Sequence, residues 1–144
     1  MGQRESTVRP LPGPRKSQSH LPTKTVHFEK GVTYTGQVNE KNEKHGYGTL
    51  IWPGKLEYTG QFKDGNIHGF GKMKHTNGSE YEGEYQFNRY NGYGVLKYPN
   101  WQCYKGEFKD GMRHGHGTMY NSDGTARRRG QWKHDAASHC CGLC

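Results

Sequence analysis

The sequence predicts an all-β protein. The expected form is an elongated, single-layer antiparallel sheet of successive β-hairpins, about four repeats plus a degenerate terminal one, flanked by disordered tails. Three observations predict it. A four-residue phrase recurs every 23 residues, as His45-Gly46-Tyr47-Gly48, His68-Gly69-Phe70-Gly71, Asn91-Gly92-Tyr93-Gly94 and His114-Gly115-His116-Gly117. An aromatic–x–Gly phrase keeps time with it, at Tyr34/Gly36, Tyr58/Gly60, Tyr81/Gly83 and Tyr104/Gly106. Self-similarity at a fixed period of this size marks a repeat architecture. The third observation is composition. Only 29% of residues are hydrophobic, against 22 Gly, 10 Tyr, 5 Phe and 3 Trp. So few aliphatic residues cannot fill a thick globular core. Thin units must stack instead, with aromatic rings as the buried payload.

Residues 1–29 read as a disordered basic tail rich in Pro and Ser, with Pro10, Pro12, Pro14 and Pro22. Nothing there repays the entropy of ordering. Residues 30–133 are the repeat domain. Within a repeat, Tyr81, Gly83 and Tyr85 alternate with Glu80, Glu82 and Glu84, the period of two expected of a strand. A turn follows at Asn88-Arg89, and Gly94, Leu96 and Tyr98 alternate on a second strand. The equivalent turns are Asp64-Gly65 and Asp110-Gly111, and Asp-Gly supplies the positive backbone angles of tight hairpins. Asn77-Gly78 and Asp123-Gly124 are turn dipeptides between units. Two reasons explain the paired glycines. A side chain would strike a ring of the neighbouring hairpin, or the backbone needs angles that only Gly tolerates. Val38, Phe62, Tyr85, Phe108 and Trp132 recur on the inward face and are expected to stack over the glycine backbone. The first repeat carries one extra residue between Gly36 and Gly46. The fifth is degenerate, with Arg127-Arg128-Arg129 where the opening Tyr belongs and Gly130 one residue late; it reads as a terminal cap. Residues 134–144 form a C-terminal tail containing Cys140, Cys141 and Cys144.

Several function classes fit this sequence poorly. The four cysteines are not spread as a disulfide framework requires. Residues 1–30 lack the apolar stretch of a signal peptide, and no run approaches the roughly 18 apolar residues of a spanning helix. The expected location is therefore cytoplasmic, on a membrane face or in the cytoskeleton or cilium. The Gly-x-Gly elements lack the helix that a dinucleotide fingerprint needs. His45, His68 and His114 form a column, but units about 10 Å apart cannot share one zinc, so local turn bonding is expected. Cys103 reads as a small packed residue. Cys140 and Cys141 with His139 lack a second cluster for a metal. No catalytic constellation, metal site or cofactor is expected. The aromatics occupy packing positions, which argues against nucleic acid.

The net charge is +8, with six basic and two acidic residues in the first 30. This balance favours anionic surfaces such as phospholipid. Met1-Gly2-Gln3-Arg4-Glu5-Ser6 has the outline of an N-myristoylation signal at Gly2, followed by basic residues that supply a second attachment. Cys140 and Cys141 are candidates for palmitoylation. Cys141-Gly142-Leu143-Cys144 has the outline of a prenylation box, with poor matches at Gly142 and Cys144. Arg127, Arg128 and Arg129 are candidate contacts to an anionic surface, or a solvated charge run.

The order aromatic–x–Gly, Asp-Gly, Gly-x-Gly at 23 residues resembles the MORN (membrane occupation and recognition nexus) repeat family. The resemblance covers residues 31–132 and rests on Tyr34, Gly36, Gly46, Gly48, Tyr58, Gly60, Gly69, Gly71, Tyr81, Gly83, Gly92, Gly94, Tyr104, Gly106, Gly115 and Gly117. His116 departs from the aromatic of the last Gly-x-Gly. The resemblance implies a grooved row of hairpins and a non-enzymatic task in scaffolding, dimerisation or membrane attachment. Two readings follow. One is a scaffold or adaptor for a protein partner, held at a membrane by lipidated tails and basic residues. The other is a cytoskeletal or axonemal component without lipid contact.

Overall fold

The computed structural model describes residues 20–137. Eleven strands form one antiparallel sheet in strict sequence order. They are β1 (Thr23–His27), β2 (Thr33–Val38), β3 (Lys44–Trp52), β4 (Leu56–Lys63), β5 (Asn66–His75), β6 (Glu80–Gln86), β7 (Arg89–Lys97), β8 (Cys103–Lys109), β9 (Met112–Tyr120), β10 (Ala126–Lys133) and β11 (Ala136–Ala137). The expected all-β sheet of consecutive hairpins is what forms. Only a 3₁₀ turn at Glu29–Gly31 interrupts the strand pattern among the described residues.

The hairpins are β2/β3, β4/β5, β6/β7, β8/β9 and β10/β11. Four of them close through two residues with positive φ, at Asp64-Gly65, Phe87-Asn88, Asp110-Gly111 and His134-Asp135. This is the type I′ geometry whose twist matches the flanking strands. The third turn lies one residue earlier than Asn88-Arg89, because Arg89 already pairs with Gln86. The extra residue of the first repeat is absorbed in a longer loop. There the Asn39 side chain accepts bonds from the amides of Lys41 and Glu43.

The sheet extends past the expected domain boundaries. Residues 23–27 were assigned to the N-terminal tail but pair in register with β2, and β11 lies beyond residue 133. The fifth unit also keeps its place. A bulge between Ala126 and Arg128 takes up the additional residue, so Gly130 still faces Gly117 and Trp132 faces Gly115.

The core is a ladder of rings on one face. Tyr34, Tyr58, Tyr81 and Tyr104 are fully buried. Phe62, Tyr85, Phe108 and Trp132 fit between them edge to face, at centroid distances of 5.0 to 5.3 Å. Each such pair contributes about 0.5–1.5 kcal/mol beyond its buried area. Tyr34, Tyr58, Tyr81 and Tyr104 each also donate their hydroxyl to the carbonyl three residues on, at Gln37, Gln61, Glu84 and Glu107. The hydroxyl of Tyr85, by contrast, is buried without a partner among the described residues.

The two glycine explanations apply to different glycines. Gly46, Gly69, Gly92 and Gly115 have φ between 61 and 96°, which disfavours any side chain. Gly48, Gly71, Gly94 and Gly117 lie directly beneath the rings of Tyr34, Tyr58, Tyr81 and Tyr104. The expectation for these rings is corrected in two respects. The covering ring comes from the glycine's own hairpin, not from the neighbouring one. It is also the opening tyrosine, whereas the Val38–Phe62–Tyr85–Phe108–Trp132 series fills the spaces between.

Units are fastened along the hairpin-turn edge. The amides of Gly65, Asn88, Gly111 and Asp135 donate to the carbonyls of Lys44, Ile67, Tyr90 and Arg113 of the preceding unit, at 2.8–3.0 Å. Other side chains close over the ladder. Tyr90 stacks on Tyr81 at 3.8 Å and hydrogen-bonds His75 Nε2 at 2.9 Å. The Arg113 guanidinium lies 4.8 Å from the centre of the Trp132 ring.

Candidate functional site: the groove opposite the ring ladder

Side chains alternate along a strand, so the residues between the ladder positions face the other way. There stand Tyr47, Phe70, Tyr93 and His116, the middle residues of the four Gly-x-Gly phrases. Each lies in a local bulge, where three residues of one strand face a single residue of its hairpin partner. The register of β4/β5 jumps from Gly60↔Gly71 to Phe62↔Ile67, and the equivalent jump recurs in the other units. A bulge orphans a backbone amide. Here the orphan is taken by one recurring acceptor. Gln37 and Gln61 accept from the amides of Tyr47 and Phe70 at 2.8 and 2.7 Å, and Glu84 and Glu107 accept from Tyr93 and His116 at 2.6 and 2.7 Å.

Two hollows meet at Gly92 on this side. One, of about 620 Å³, is lined by His45, Gln61, Lys63, His68, Phe70 and Glu84 among others. The second, of about 560 Å³, is lined by Tyr93, Lys105, Glu107, His116, Thr118 and Arg129 among others. Together they make a groove that crosses the strands. Its glycine lining, Gly46, Gly69, Gly92, Gly106, Gly117 and Gly130, leaves backbone close to the surface. Glycine allows such close approach. The two carboxylates that face the groove are already bonded to backbone amides.

The histidine column does not come together as a site. His45 Nδ1 accepts the turn amide of Asp64 at 3.1 Å, the local role expected of it. His68 packs against Phe87 at 5.3 Å, and its buried Nδ1 has no partner among the described residues. His114 lies 6.2 Å from His134. Among the described residues no group of three or more His, Cys, Asp or Glu is arranged to hold a metal. Cys103 is a free, half-buried thiol at the start of β8. Arg127, Arg128 and Arg129 are exposed but do not form one patch. Arg129 lines the groove, whereas Arg127 lines a depression beside Tyr98 and Arg113. Arg128 takes the sheet position of a ladder tyrosine, opposite Met119. Gly2, Cys140 and Cys141 lie outside the described residues.

Burial raises the pKa of the ladder phenols. That of Tyr34 is pushed up to about 12, and Tyr58, Tyr81 and Tyr104 rise further. Tyr90 is likewise pushed up to about 12 by burial. Desolvation of the phenolate is the leading cause in every case. These tyrosines are neutral structural groups at neutral pH.

Trp101 and Phe87, the two most exposed large hydrophobic residues among those described, were not singled out from the sequence. Trp101 is 80% exposed and adopts φ +70°. The residues one period away, Gly78 and Gly124, adopt similar angles in their own turns. Phe87 is 64% exposed with φ +46°, where its counterparts are Asp64 and Asp110. Bulky residues rarely adopt this region, and the strain is of the order of 1–2 kcal/mol. Alignment of the chain with itself at 23 residues carries the signal.

The MORN repeat model matches residues 34–55, 58–80, 81–103 and 104–126, more than half of the chain. Every match opens on a ladder tyrosine. The chain belongs to the MORN repeat family.

Proposed function

We propose that this protein is a non-enzymatic scaffold or adaptor that receives a protein partner along the groove. The observation that carries this reading is the groove itself, an open channel repeated from unit to unit rather than one enclosed pocket. Four of its polar groups already serve the fold, since Gln61, Glu84 and Glu107 hold bulge amides and His45 holds a turn. Trp101 and Phe87 add exposed aromatic anchors of the kind that dominate interface energetics. In this reading the tails hold the scaffold at a membrane, through Gly2 and basic residues, with acylation at Cys140 or Cys141 as reinforcement.

Charge reversal in the groove tests the first part. Partners captured by the full chain from its own cells are compared with those of the Lys105→Glu, Arg129→Glu variant, checked for an unchanged Tm. Selective loss of a stoichiometric partner supports the reading, and an identical captured set overturns it. Intact mass tests the second part. Loss of Met1 with a gain of about 210 Da at Gly2 supports lipid attachment. An unmodified N-terminus with no membrane fractionation favours the cytoskeletal reading instead.

A further inference from the structure

The sheet ends in two edges, and they are built differently. On one side β11 covers only Trp132 and Lys133, which leaves residues 126–131 of β10 as the outer strand among the described residues. That stretch contains a bulge and three consecutive arginines. Bulges and edge charges are two devices by which sheets refuse a further strand. The Arg127-Arg128-Arg129 run therefore has a role in the fold as a guard on this edge.

The other edge, β1, has no bulge, and a single lysine, Lys24, stands there in place of three arginines. It pairs with β2 over all five residues without a register shift. Phe28 donates its amide to Val32, and Pro22 accepts from Val38. Antiparallel pairing alternates, so residues 22, 24, 26 and 28 point their backbone groups at β2. Thr23, Thr25 and His27 thus point theirs outward. All three side chains are exposed, with no acidic or apolar residue among them.

We propose that β1 is a homodimerisation edge, pairing antiparallel with β1 of a second copy about a two-fold axis through Thr25. The register is self-complementary. Thr25 faces its own counterpart, and Thr23 faces His27 of the other copy. These three pairs engage every outward amide and carbonyl of residues 23–27. Lys24 faces Val26 of the other copy, so no like charges oppose each other and the lysine stem covers the valine. Any shift of two residues leaves outward groups unpaired at both ends. Docking of β1 on β10 is the head-to-tail alternative, which grows into fibres. The guarded β10 edge opposes it, so association closes at two copies. The axis stands perpendicular to the sheet and sets both grooves on the same face, giving a two-site scaffold. A contact of five residues per copy is small, which makes the dimer weak and concentration-dependent.

Sedimentation velocity of the full chain across a concentration series tests this. The mass is expected to rise from 16.4 kDa toward twice that value, and no further. Thr25→Pro should hold the chain monomeric with its sheet spectrum retained, because the lost amide points away from β2. Thr25→Lys, which sets two ammonium groups face to face without touching the backbone, should do the same. Register is read by oxidation and peptide mapping. Thr25→Cys should yield a symmetric intermolecular disulfide, since directly opposed residues meet the required Cα spacing. Thr23→Cys should not, because its counterpart lies about 13 Å away. A chain that stays monomeric throughout, a dimer indifferent to both Thr25→Pro and Thr25→Lys, or growth past two copies would each overturn the proposal.

Discussion

Gly46 and Gly48 are two residues apart and solve different problems. Gly46 supplies a left-handed backbone angle at a bulge, while Gly48 leaves room for the Tyr34 ring. The sequence displays their spacing and not their φ, so both causes were legible there but not their division. The Tyr85 hydroxyl is another matter of single atoms. It is buried with no hydrogen-bond partner among the described residues, and its counterparts in the ladder are Phe62 and Phe108. An unsatisfied buried hydroxyl costs about 1–3 kcal/mol. Tyr85→Phe is therefore expected to raise Tm by several degrees in a thermal melt. A lower Tm would mean that the hydroxyl has a partner, such as a buried water.

At the scale of elements, hairpins and turns followed from Asp-Gly and Asn-Gly spacing. β1 did not, because Thr23–His27 falls outside the 23-residue period and follows the Pro-rich stretch. The bulges were equally invisible. They depend on Gln or Glu at 37, 61, 84 and 107, which read in the sequence as ordinary solvent-facing strand residues. Gln61→Ala removes the acceptor for the amide of Phe70, itself nearly buried. A loss of about 1–3 kcal/mol is expected in urea denaturation. Gln61→Glu should retain most of the stability, since Glu84 and Glu107 perform the same task one and two units on. Equal losses in both variants would refute the capping role of this side chain.

Over the whole molecule, stability belongs to neighbouring units jointly, because each ring wedges between rings of the next hairpin and each turn is bonded to the preceding unit. Titration of the tyrosines offers one global readout. Folding raises the phenol pKa of Tyr34 and Tyr90 from 10.0 to about 12, and raises Tyr58, Tyr81 and Tyr104 as well. The unfolded chain thus releases protons first as pH rises. The stabilisation is complete below pH 10 and is lost progressively above it. Phenolate absorbance of the buried set should therefore appear together with loss of the sheet spectrum between about pH 10 and 12. Ionisation of these rings in a folded sheet would show that they are not sealed. The most direct test of ring-on-glycine stacking is thermal unfolding of Gly71→Val. Gly71 sits beneath the Tyr58 ring in the middle of the ribbon, without a positive φ to confuse the result. The substitution is expected to cost a few kcal/mol and to lower Tm by about 10 °C or more in one cooperative transition. An unchanged Tm would contradict the claim that these tyrosine rings lock against glycine backbone to hold the sheet together.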